Sequence, residues 1–178
     1  MSKQSIRKKI LLKRKKNYSR NLKIDLSTLI NLLNKKKLHK LTIGGYYPIN
    51  YEIDTIEILK SLEKKGHKIS LPVIMKNNQM KFFRWSYAQP LFINKYGIPE
   101  PKSDREVLPN VLLIPMVSFD RNKYRLGYGG GYYDRYLQKN KKKFVSIGFA
   151  FSSQEIKKVP INKYDEKLDF ILTEKEVF

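Results

Sequence analysis

At 178 residues, 41% hydrophobic and 12% aromatic, the chain has the length and apolar content of one domain, spanning residues 1–178, with a full core. Without cysteine it has no disulfide framework, no thiolate nucleophile and no cysteine-based zinc site, and its two histidines, His39 and His67, are expected at the surface near helix ends. The net charge of +21 invites a nucleic-acid reading, yet arginine supplies eight of the 37 basic residues and the lysines fall in scattered blocks such as Lys35 to Lys37 and Lys141 to Lys143, so solvated faces are favoured over a recognition surface.

In chain order, Lys3 to Arg20 reads as a basic amphipathic helix with Ile6, Ile10 and Leu11 as a narrow apolar stripe. Leu22, Leu26, Leu29 and Leu33 predict a second helix that runs out at Lys35 to Lys40. "LTIGGYY" reads as a strand ended by Pro48. Residues 50–67 then predict a helix with Ile53, Ile56, Leu59 and Leu62 on one face and Gly66 at its C-cap. "KISLPVI" and "QMKFFRW" are strands, and residues 86–108, with Pro90, Gly97, Pro99 and Pro101, read as a connection with little regular structure. The uninterrupted apolar run "NVLLIPMVSF" predicts a strand buried on both faces. A glycine stretch follows, then a helix over Tyr132 to Asn140, then "FVSIGFAF" and "DFILTE" as strands. Strands alternating with helices predict an α/β fold, a single three-layer αβα domain with a largely parallel sheet.

The stretch "RLGYGGGYYDRYL" holds Gly127, Gly129, Gly130 and Gly131, four of the chain's nine glycines. After a buried strand and before a helix, such a loop offers free amides and the positive end of a helix dipole to a phosphate, and glycines let the anion come close. It is neither a Walker loop, which ends in Gly-Lys-Ser/Thr, nor a dinucleotide fingerprint, whose third glycine would stand at Tyr132. Taken alone, the loop is balanced between a structural turn and a phosphate cradle. Arg125 adds a forked cation suited to phosphate, Asp134 a carboxylate of the kind that holds Mg²⁺ beside phosphates, and the tyrosines flat amphipathic walls. For Tyr132 and Tyr133, packing at the start of a helix is as strong a reading as ligand contact.

The segment "LIPMVSFDRNKYRLGYGGGYYDRYL" resembles the signature of the 5-formyltetrahydrofolate cyclo-ligase family, and the resemblance extends over nearly the whole chain. "KQSIR" resembles the family's ATP-binding start with Ile6 in place of leucine; "YYPINYEIDT", "KYGIPEP" and "VPINKYDEKLDFILTE" resemble further family segments in the same order. Departures are mild, among them Met116 where a small residue is usual at the strand exit.

The resemblance implies ATP- and Mg²⁺-dependent closure of 5-formyltetrahydrofolate to 5,10-methenyltetrahydrofolate with release of ADP and phosphate. The formyl oxygen attacks the γ-phosphate, folate N10 closes on the activated carbon, and no protein nucleophile is needed. It implies ATP contacts for Lys3, Arg7 and the loop Arg125, Leu126, Gly127, Tyr128, Gly129, Gly130, Gly131, Tyr132 and Tyr133, with Arg125 and Tyr133 the catalytic assignments. Glu52 would bind the pterin, with Tyr47, Trp85, Tyr128 and Tyr132 lining the folate site, and Asp134 and Asp165 would hold Mg²⁺. The lysine excess would attract a polyglutamate tail. The implied protein is a cytoplasmic monomer without membrane contact; a basic nucleic-acid-binding protein, or a family relative acting on another small substrate, are the alternatives.

Overall fold

The computed structural model describes residues 2–19, 22–36, 40–102, 104–140 and 143–178; His39 and the lysines at 37, 141 and 142 lie outside them. Helix α1 is Lys3–Asn17, capped by the Ser2 hydroxyl, which accepts from the Ser5 amide, and α2 is Leu26–Lys35. The second helix starts four residues later than the leucine spacing suggests because Asp25 caps it, accepting the Ser27 amide at 2.9 Å. Strand β1 (Thr42–Gly44) leads to α3 (Ile56–Lys64), whose exit is Gly66 with φ +88, as the sequence suggested. Ile53 falls in the turn before α3 but is still buried.

Strands β2 (Lys68–Ile74) and β3 (Met80–Trp85) follow. The segment expected to lack structure holds β4 (Leu91–Ile93), β5 (Pro99–Pro101) and β6 (Glu106–Val107). The long apolar run is split: β7 (Val111–Pro115) ends at a proline, and β8 (Ser118–Phe119) leaves the sheet to pair with β9 (Arg125–Leu126). Helix α4 (Tyr132–Lys139), β10 (Val145–Phe149) and β11 (Phe170–Leu172) complete the order.

Seven strands form one sheet in the order β11-β10-β7-β1-β2-β3-β6, with β4-β5 and β8-β9 as separate ribbons. Four of its six pairings are parallel, and only β3 runs against the rest, its two antiparallel pairings being with β2 and β6, so the largely parallel α/β reading holds. Side chains of β7 alternate between the faces: Val111 and Leu113 join the cluster under α2 and α3, while Leu112 and Ile114 join the one under Tyr136 and Leu137 of α4. Helix α1 lies outside these layers, with Ile6 and Ile10 packed with Val117, Leu126 and Val159. Burying each isoleucine contributes roughly 2 kcal/mol, which anchors α1 beside the glycine loop that follows Leu126.

Candidate active site

A cavity of about 770 Å³ opens beyond the carboxyl ends of β1, β2 and β7, where α/β sheets bind ligands. Its walls come from the β1–α3 turn (Tyr46, Tyr47, Ile49, Glu52), from Pro72 and Pro115 at strand ends, from the β4–β5 ribbon, from Lys3 and Arg7, and from the glycine loop. At one side the hydroxyls of Tyr96 and Tyr132 meet at 3.3 Å, so the ribbon reaches the first residue of α4.

The loop between β9 and α4 enters the helix through Gly131, the N-cap residue, with φ 66 and no side-chain cap, so no side chain competes with a ligand for the helix's first amides. Gly129 has φ +108, a backbone that side chains rarely adopt, and a Cβ there would meet the Arg7 guanidinium carbon at 3.4 Å. Arg7 Nε donates to the Gly127 carbonyl at 2.7 Å, pinning the loop to α1.

Charged groups are paired across the cavity wall. Lys3 Nζ lies 2.5 Å from Asp165 Oδ2, which also accepts the Asn162 amide at 2.6 Å. Arg125, only 6% exposed, donates to the Glu166 carbonyl at 3.0 Å and to Asp134 Oδ1 at 2.7 Å. Burial pushes the Arg125 guanidinium below its ordinary pKa, and the Asp134 carboxylate opposes that shift. Among the described residues no three His, Cys, Asp or Glu side chains gather as a metal site. Two carboxylates on one cavity wall suit a hard cation that shares its remaining ligands with phosphate oxygens.

Glu52 forms the other pole. It is 5% exposed; its Oε2 accepts the Ile49 amide at 2.9 Å and its Oε1 accepts the Tyr128 hydroxyl at 2.9 Å. The Tyr128 oxygen in turn accepts from Arg14 Nη2. Burial pushes the Glu52 carboxyl up to about 7, against the pull of the Ile49 amide, Arg14 and Tyr128. Tyr46 and Tyr133 face the same carboxylate, and burial raises both phenols. Just before Glu52, Asn50 (φ 49) and Tyr51 (φ 64) are consecutive left-handed residues, a strained turn that Arg14 secures by donating to the Asn50 carbonyl at 3.0 Å. The Tyr133 hydroxyl is buried with no hydrogen-bond partner among the described residues, and Tyr133 lines the cavity, so a ligand atom is the natural acceptor or donor for it.

The cavity gathers Lys3, Arg7, Tyr47, Glu52, the whole stretch Arg125 to Asp134, and Asp165. Trp85 is not with them: its ring is 3% exposed in the core and its indole N–H donates to the Gln89 carbonyl at 3.1 Å. Sequence reasoning passed over Arg14, Tyr46 and Tyr96. A signal for Arg14 exists, because Lys3, Arg7, Ile10 and Arg14 are spaced four, three and four and share one face of α1.

The pattern of the 5-formyltetrahydrofolate cyclo-ligase family matches residues 1–174. A 5-formyltetrahydrofolate cyclo-ligase of Haemophilus influenzae is 32% identical over 151 residues, covering 80% of this chain and 80% of that protein. The NMR structure of Aquifex aeolicus 5,10-methenyltetrahydrofolate synthetase superposes with a TM-score of 0.80 at 32% identity, covering 99% of this chain and 92% of that one. A 5,10-methenyltetrahydrofolate synthetase from Mycoplasma pneumoniae gives 0.77 at 28% identity, covering 98% of this chain and 100% of the other. Sequence and fold agree along the full length, and the chain belongs to the 5-formyltetrahydrofolate cyclo-ligase family, the ligases that convert 5-formyltetrahydrofolate to 5,10-methenyltetrahydrofolate.

Proposed function

We propose that this chain performs that ring closure in the 770 Å³ cavity, with ATP as co-substrate, ADP and phosphate as products, and Mg²⁺ as the metal. One observation carries the reading: a single cavity joins a glycine loop with uncapped helix amides, a pair of wall carboxylates and a buried glutamate. The loop amides from Gly127 to Gly131, with Lys3 and Arg7, take the phosphates. Asp134 and Asp165 are the residues that would hold Mg²⁺, and the ion would supply positive charge to the phosphates there. Glu52 accepts hydrogen bonds from the amino-pyrimidine edge of the pterin, beside Tyr47 and Tyr128.

In this arrangement the formyl oxygen attacks the γ-phosphorus as the bond to ADP breaks. N10 then adds to the phosphorylated formyl carbon, loses its proton, and phosphate leaves. The chain supplies position and charge rather than a nucleophile: Arg125 places a buried cation beside the loop, and the unpaired Tyr133 hydroxyl offers a directed hydrogen bond. Purified protein mixed with ATP, Mg²⁺ and 5-formyltetrahydrofolate should develop the near-ultraviolet absorbance of the methenyl product. Folded protein that yields no such signal under these conditions would remove the reading.

A further inference from the structure

Arg14 is an unusual residue to find inside. It is 2% exposed, in the last turn of a helix beside the exposed Lys15, Lys16 and Asn17, and the apolar stripe of Ile6 and Ile10 could have continued through it at no electrostatic cost. Among the described residues no direct ion pair joins it to a carboxylate. Its three nitrogens instead reach three separate segments: Nε the Asn50 carbonyl at 3.0 Å, Nη1 the Met116 carbonyl at 3.0 Å, and Nη2 the Tyr128 hydroxyl.

The third contact sets a direction. A phenol has one proton; with a guanidinium N–H pointed at its oxygen, the Tyr128 hydroxyl must send that proton elsewhere, and it goes to Glu52 Oε1 at 2.9 Å. The Ile49 amide occupies Oε2, so each carboxylate oxygen is held by one protein donor and keeps lone-pair capacity for a ligand. Tyr128 sits between Gly127 and Gly129 within the loop itself. The same side chain therefore bridges the phosphate cradle and the buried glutamate.

We propose that Arg14 is a positioning residue which, through Tyr128, fixes the direction of the Glu52 carboxylate and couples occupation of the glycine loop to folate binding. The inference rests on the nucleotide and folate assignments proposed above. Its consequence is reciprocal: nucleotide on the loop tightens folate binding, and folate tightens nucleotide binding by the same factor.

Calorimetric titration tests it, with 5-formyltetrahydrofolate added to the protein alone and to protein saturated with a non-hydrolysable ATP analogue and Mg²⁺. For wild type, folate affinity rises when the analogue is present. In Tyr128→Phe and in Arg14→Met, folate affinity falls about tenfold and its response to the analogue is lost. Because the two residues act in series, the double variant is no weaker than Arg14→Met. Tyr128→Phe keeps the ring and its packing, so it decides the matter even if Arg14→Met does not fold. Wild-type coupling that survives intact in Tyr128→Phe, or fully additive losses in the double variant, would overturn the inference while leaving the enzyme reading in place. Wild-type protein that binds no 5-formyltetrahydrofolate would overturn both.

Discussion

Glu52 is held protonated further up the pH scale than an exposed glutamate, at about 7 instead of 4.5, with Arg14, Tyr128, Tyr46 and Tyr133 facing it. Because the folded-state pKa is raised, the associated stability is complete below about pH 4.5 and is lost as pH climbs through about 7. Glu52→Gln should therefore melt above wild type at pH 8, by up to roughly 3 kcal/mol, with the gap closing toward pH 5. A gap that grows on acidification would show that the carboxylate is stabilised rather than stressed by its site. Asp134 behaves differently, because it neutralises the buried Arg125 at 2.7 Å. Asp134→Ala strands that guanidinium and should cost roughly 3 kcal/mol, whereas Asp134→Asn can still accept its N–H while losing the charge proposed to hold Mg²⁺. Turnover of Asp134→Asn should drop ~100-fold with a much smaller change in melting, and near-normal turnover would exclude it as a ligand. At this scale, the glycine loop announced itself through composition, while Glu52, Asp165, Lys3 and Arg7 stood out only through resemblance. Arg14 was passed over because α1 is crowded with basic residues, and its spacing from Lys3, Arg7 and Ile10 gains weight only once its burial is seen.

Among the elements, those with strong local signals lie within the stretches the sequence suggested, though α1 stops at Asn17 and α3 starts only at Ile56: α1, α3 and α4, and the strands of the parallel sheet. The departures among the strands come from prolines. Pro99 and Pro101 mark a loop by the usual rules, yet they sit in β5, a two-stranded ribbon whose outer side needs no ladder donors. Pro72 is tolerated inside β2 because β1 ends at Gly44, opposite Ser70, so the strand runs on past its parallel neighbour into the cavity wall. Pro115 closes β7 and frees the chain to form the β8–β9 ribbon that launches the glycine loop. Two changes separate elements that frame the fold from those that build the site. Asp25→Ala removes the α2 cap and should lower the melting temperature modestly, leaving KM values unmoved in steady-state assays. Gly129→Ala forces a side chain onto φ +108 against Arg7; it should cost about 1 kcal/mol and weaken nucleotide binding at least roughly tenfold in titrations. Unchanged nucleotide affinity in that variant would mean that the loop is only a turn.

For the molecule as a whole, the α/β layering followed from the alternation of strands and helices, and the antiparallel edge did not. Only residues 75–79 separate β2 from β3, too few for a crossover, so the chain reverses at β3, and β6, antiparallel to β3, returns to the sense of the other strands. The net charge of +21 also acts at this scale. Both proposed substrates are polyanions, and a positive field raises their encounter rate in proportion to how little salt screens it. Values of kcat/KM should fall several-fold between about 50 and 300 mM NaCl while kcat changes little; flat behaviour would assign the lysines to solubility alone.

Helix α1 is made well before most of its partners. Arg14 waits for Met116, Arg7 for Gly127 and Lys3 for Asp165, separations of 102, 120 and 162 residues. At 5–20 residues per second, a nascent chain carries α1 undocked for roughly ten seconds, and until the loop emerges it has neither phosphate cradle nor oriented glutamate. Competence for both substrates therefore arrives together, once residues 116–165 have emerged, instead of growing piecemeal along the ribosome-bound polypeptide.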